Sequence, residues 1–181
     1  MELAGQIVGI IAMVLNIVAV QFKKPKHLFI CRLVSSALWG VNFLLLGSPT
    51  GAIINIVNIV RSLFLLRKQT STKLFLIITL ILYTAAGLIT MDYSLSLMMV
   101  LDVLIILSQL VDSAGMWTNN FKIIRYCQLF AISPVWLVHN IVVFSIGGII
   151  TEVFTIISTL IAMFRYRNQN NSHTKGAAVN E

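Results

Sequence analysis

Charge is the scarcest component of this sequence. Asp, Glu, Lys and Arg make up 10% of its 181 residues, against about 25% in an ordinary soluble domain. Hydrophobic residues make up 58%, above the usual 45–50% or so, and the mean hydropathy is +0.93. The excess runs along nearly the whole chain, which excludes a soluble core as its destination and indicates an all-α integral membrane protein. Cysteine is also rare. Cys31 and Cys127 have no metal-ligand spacing and read as small apolar packing residues. There is no glycine-rich phosphate loop, no HExxH and no Ser/His/Asp arrangement in a loop. Ser133 and Ser145 are the hydroxyls nearest His139 in sequence, and Ser133 falls on another face more than a turn deeper. Neither an enzyme nor a metal or cofactor site is expected. The net charge of +7 lies in short clusters between apolar runs, not on one face with interleaved aromatics, which argues against nucleic acid. "MELAGQIVGIIAMVLNIVAVQ" opens with an acid and lacks a basic n-region and a cleavage site, so it reads as a retained helix.

A membrane-spanning helix needs roughly 20 mostly apolar residues. Seven segments qualify, at about 4–21, 28–47, 50–66, 74–90, 94–111, 122–145 and 147–165. "KKPKH", "SPTG", "RKQTSTK", "TMDYS", "DSAGMWTNN" and "SIGG" separate them. Residues 1–167 form one transmembrane domain, and the polar residues 168–181 are predicted to be a disordered cytoplasmic tail. Alternate connections, with their flanks and the tail, hold Lys23, Lys24, Lys26, Arg67, Lys68, Lys73, Lys122, Arg125, Arg165, Arg167 and Lys175. These are eleven of the thirteen basic residues. Cytoplasmic loops carry the Lys/Arg excess, so the N-terminus is predicted outside and the C-terminus inside, which requires an odd number of helices.

The chain also resembles itself. At a shift of 96 or 97, "HLFICRLV" lies over "KIIRYCQLF", and "WGVNFLLLGSPTGAIINIV" lies over "WLVHNIVVFSIGGIITEVF". Gly51 then matches Gly148, Asn55 matches Glu152, and Trp39 falls on Trp136 with a small slip. The pattern predicts a 3+1+3 arrangement: repeat one at about 4–66, a linker helix at about 74–90, and repeat two at about 94–165. The copies would have the same orientation and be related by an axis along the membrane normal, as in SWEET-type transporters.

Within the apolar runs lie His139, Asn140, Glu152, Asp102, Asn42, Asn55 and Asn58. An acid at a helix centre costs about 2.5–3.5 kcal/mol on the insertion scale, and an unpartnered buried polar group about 1–3 kcal/mol. These groups are expected to converge on a polar cavity opening to the outside. His139 and Asn140 fall about 7–9 Å below the outer end of their helix. Glu152 is expected to face His139 across the "SIGG" turn, and Asp102 to pair with Arg61. Trp39, Trp136 and Tyr83 fall near mid-depth, as cavity or packing residues. Pro134 interrupts helix six, as a packing kink or a hinge. The reading is a secondary transporter or facilitator of a small polar solute, with those seven residues as substrate- or proton-binding groups. The alternative is a non-transporting receptor or assembly protein in which they only hold helices together. The expected partners are the lipid bilayer and a small polar solute; self-association into a homo-oligomer stays open.

"VWLVHNIVVFSIGGIITEVF" and "NFLLLGSPTGAIINIVNIVRSLFLLR" resemble segments of the bacterial inner-membrane YgjV family, and the resemblance covers most of residues 1–167. His139-Asn140, the Ser145-to-Gly148 turn and Glu152 are its most specific parts. It implies a multi-pass protein of the bacterial inner membrane. The family is similar in turn to the PQ-loop and SWEET-like carriers, but the Pro-Gln pair is missing here: Pro25 is followed by Lys26.

Overall fold

In a computed structural model of the chain, residues 2–19, 25–67, 72–91, 93–118 and 120–177 are described, and every regular element among them is helical. Seven helices follow one another: α1 Glu2–Ala19, α2 Pro25–Leu45, α3 Pro49–Leu66, α4 Lys73–Thr90, α5 Leu97–Trp117, α6, and α7 Ile146–Ala177. Helix α6 has three stretches: α-helical Phe121–Cys127, a π-helical turn Gln128–Ile132, and α-helical Ser133–Val142. Their starts are chemically marked. Ser48 precedes Pro49 and its Oγ accepts from Gly51 N–H at 3.3 Å. Thr72 accepts from Phe75 N–H at 3.1 Å, and Asn120 from Lys122 N–H at 3.0 Å. Each satisfies a donor that a helix start leaves open.

Helices Lys73–Thr90, Leu97–Trp117 and Ile146–Phe164 are long and apolar enough to cross a membrane. Glu2–Val18, Leu33–Leu45 and Pro49–Phe64 are apolar and shorter. Ile81, Ile89, Phe130 and Phe164 are among the many large apolar side chains pointing outward, as lipid-facing residues do. Each helix packs on the next in sequence, and α1 also packs on α7. The seven therefore close into a ring. Around its centre lie buried Trp39, Phe43, Ile54, Tyr83, Ile105 and Trp136.

The α2–α3 and α6–α7 turns are built alike. In the first, Leu46 N–H donates to Asn42 O, Gly47 N–H to Leu44 O, Ser48 N–H to Phe43 O and Ala52 N–H to Ser48 O. In the second, Val143 donates to His139 O, Phe144 to Ile141 O, Ser145 to Asn140 O and Ile149 to Ser145 O. Every donor and acceptor has its counterpart 97 positions on. Gly47 (φ +78) and Phe144 (φ +55) hold the same left-handed position in the two turns.

Three expectations from sequence change. "DSAGMW" does not begin a loop after residue 111, because α5 continues through it to Trp117. Helix α7 runs to Ala177, through residues expected to lack regular structure; no proline interrupts them, and a formed helix propagates more easily than it nucleates. Helix α6 is not interrupted at Pro134 but passes through a π turn just before it. The π turn lets Ser133 N–H reach Gln128 O, so Pro134 falls in the first turn of the next stretch, where no donor is needed. Lys23, Lys24 and Lys68 of the charge pattern, and residues 178–181 of the tail, lie outside the described residues.

Candidate functional site

A cavity of about 240 Å³ lies within the ring, walled by residues from α1, α2, α3, α5, α6 and α7. Helix α3 supplies Asn55, Asn58 and Arg61 at spacings of three, so one helical face is polar. Helix α5 supplies Gln109 and Asp112, again three apart. On α6, Trp136 and Asn140 share a face one turn apart, and α7 adds Gly148, Thr151 and Glu152. Trp39 and Phe43 of α2 complete an aromatic wall in which Phe43 stacks between Trp39 and Trp136, with ring centroids 6.0 and 5.5 Å away.

Arg61 and Asp112 form an ion pair in this wall, and the guanidinium also lies 5.6 Å from the Tyr83 ring centroid. The pairing predicted from sequence, Arg61 with Asp102, is therefore corrected. Asp112 had been assigned to a loop, whereas the longer α5 carries it inside the bundle at the depth of Arg61. Asp102 is buried in α5 with a polar or electrostatic partner of its own, and does not line the cavity. Asn55 donates to Gly51 O at 2.8 Å, and Asn58 Oδ1 accepts from Tyr83 Oη at 2.6 Å. Gln128, in the π turn, donates to Ser133 Oγ at 2.8 Å.

His139 and Glu152 do not meet. His139 Nε2 shares a 2.9 Å hydrogen bond with Ser48 Oγ, and its Nδ1 has no partner. Glu152 lies beside Ser133 and lines the cavity, which His139 does not. The reason is helical phase. At 3.6 residues per turn, Ser133 and Asn140 lie two turns apart on the face that meets α7. His139 is about 100° round from Asn140, toward Phe43, with ring centroids 5.3 Å apart.

Asn42 likewise lies off the cavity. It accepts from Ser145 Oγ at 3.1 Å and donates to Gly5 O at 2.7 Å. Ser48 with His139 and Ser145 with Asn42 thus make two crossed bonds between the α2–α3 and α6–α7 turns, and all four residues are buried. Gln6 of α1 adds to this seal by accepting from Ile146 N–H at 3.1 Å and donating to Phe144 O. The end at which sequence placed the mouth is closed. The lining continues the other way, to Asn16, Met116 and Gln128 near the opposite helix ends. Four of the seven residues singled out from sequence line the cavity (Asn55, Asn58, Asn140 and Glu152), while Asn42, Asp102 and His139 lie off it. Asp112, Gln109 and Gln128 were missed; the last two are long amides within apolar runs, the signal that marked the asparagines.

A ring of apolar helices with exposed hydrophobic flanks and a polar interior defines a multi-pass α-helical membrane protein. The chain belongs to the Imp-YgjV family of bacterial inner-membrane proteins, whose model matches residues 3–170. It is a protein of the bacterial inner membrane. No curated protein and no solved structure matches it.

Proposed function

We propose that the protein is a secondary transporter or facilitator that moves a small polar solute across the inner membrane through this cavity. The observation that carries the reading is the polar cavity itself. Ionisable side chains inside a membrane are costly and mark solute or ion pathways, and here Arg61, Asp112 and Glu152 gather with six amides around one space.

The two crossed bonds support the 3+1+3 repeat and an alternating-access cycle. Positions 42 and 48 correspond to 139 and 145, so Ser48 with His139 and Ser145 with Asn42 are the same bond made in both directions. That is the relation expected of parallel repeats about an axis along the membrane normal, and it supports kinship with SWEET-like carriers. The π turn supports it too: the offset is 96 at Cys31 and Cys127 and becomes 97 at Trp39 and Trp136. A π turn absorbs one extra residue, and this one lies between those positions. With the N-terminus outside and the C-terminus cytoplasmic, the crossed bonds form the outer gate and the cavity faces inward. Breaking them as the halves rock would expose the cavity outside.

Ser48 and His139 also have the spacing of a nucleophile and its base, the one feature that favours a hydrolase. The enzyme reading is set aside because both side chains are enclosed, neither lines the cavity, and no carboxylate among the described residues orients His139 Nδ1. The same contact recurs at Ser145 with Asn42, which has no base. Solute-driven swelling of proteoliposomes tests the proposal: at least one class of small polar solute should enter faster than into protein-free vesicles. A rate equal to the control for amines, polyols, amino acids and carboxylates alike would refute it.

A further inference from the structure

The charges in the cavity do not balance. Arg61 is matched by Asp112, which leaves Glu152 as the lining carboxylate without an ion-pair partner among the described residues. Its Oε2 is enclosed and accepts no hydrogen bond. Among the described lining residues, Gln109 Oε1 and Asn140 Oδ1 are also buried and unpartnered, as is one donor, Arg61 Nε, within the matched pair. The enclosed, unpartnered atoms of the lining are thus mostly acceptors, beside one carboxylate outside the ion pair. A carboxylate within a bilayer is stabilised by a counter-charge or by taking up a proton, and a cationic solute would supply the first.

The same space is walled by Trp39 and Trp136, both buried and both lining it. Indole faces attract cations, most of all when water is excluded. A bare metal ion would draw a close shell of oxygens around itself and leave most of about 240 Å³ unused. That volume lies below the roughly 300–1,000 Å³ of drug-sized sites, so the occupant is metabolite-sized.

We propose that the cavity binds a small organic cation bearing one amine or quaternary ammonium group, with Glu152 as counter-charge and Trp39 and Trp136 as its apolar wall. The proposal rests on reading this cavity as the solute site, and adds the chemical class of the solute. The test is the melting temperature of the purified full chain in detergent, titrated with choline and ethanolamine. Sodium chloride at equal ionic strength, erythritol and acetate serve as controls. The two amines should raise the melting temperature saturably where the controls do not. Glu152→Gln should weaken the effect at least tenfold, while Glu152→Asp, which keeps the charge, should retain most of it. If Glu152→Gln does not fold, Trp136→Leu supplies the second arm and should also weaken amine binding. Stabilisation by erythritol in preference to the amines, amines no better than sodium chloride, or an unchanged response in Glu152→Gln would overturn the proposal. Amine binding without flux into proteoliposomes leaves the cation site standing and removes the transporter. Flux of erythritol without amine binding does the reverse.

Discussion

Arg61 and Asp112 show how a single pair sets the character of the interior. Their side chains are 12% and 8% exposed, so each has little access to water for solvation. Removing one partner strands the other as an uncompensated buried charge, which typically costs 3–5 kcal/mol or so. Asp112→Asn and Arg61→Gln should each destabilise the purified protein on that scale. The double variant should recover much of the loss, because the pair itself contributes far less than its breakage costs. Asp102→Asn should show no such coupling to Arg61. Denaturation of the four variants checks this, and additive losses for Arg61 and Asp112 would rule the pairing out. The asparagines and Glu152 were legible as polar groups in apolar runs. Asp112 was not, because Asp-Ser-Ala-Gly carries the residues of a turn, yet α5 continues through it. The partner of His139 was illegible for another reason: sequence gives which helices neighbour one another, but not their phase.

At the scale of elements, the helices and short turns follow from apolar length and capping residues such as Ser48, Thr72 and Asn120. The close approaches do not. A Cβ built on Gly147 would lie 2.6 Å from the carbonyl carbon and oxygen of Gly9. Those are backbone atoms, so α1 and α7 touch there main chain to main chain, as small residues permit between membrane helices. Gly147→Ala must push α1 aside and should cost about 1–3 kcal/mol, seen as a lower melting temperature. Gly47 is the contrast. It has a positive φ of +78 and nothing within 4 Å of a built Cβ. Asn tolerates the left-handed region, so Gly47→Asn should stay within about 1 kcal/mol of the parent. Equal losses at the two positions would mean that the α1–α7 contact is not close. The π turn was visible in sequence only as a slip of one residue in the self-alignment. That slip reads as alignment noise until the helix containing it is seen to hold a five-residue π stretch.

For the molecule as a whole, the closed end and the lined end make the cavity one-sided, and the proposed orientation takes its sides from the basic residues. Arg67, Lys73 and Lys122 are exposed at the end away from the crossed bonds, and basic loops stay in the cytoplasm. A reporter fused after Glu181 should therefore work only in the cytoplasm, and a tag before Met1 should be reachable from the periplasm. The cavity should share that sidedness. With Cys31 and Cys127 replaced by serine, Asn58→Cys should react with a membrane-impermeant thiol reagent applied from the cytoplasmic face, and at least tenfold more slowly from the periplasmic face. Removing the crossed bonds by the combined substitutions Ser48→Ala and Ser145→Ala takes away one hydroxyl from each, leaving His139 and Asn42 without their partners. A hydrogen bond of this kind contributes about 0.5–1.5 kcal/mol, so losing two shifts the balance between inward and outward states by up to about a hundredfold. Periplasmic labelling of Asn58→Cys should then rise toward the cytoplasmic rate. Labelling from the periplasm that is already fast in the parent, or unchanged once both serines are gone, would show that these bonds are packing contacts and not a gate.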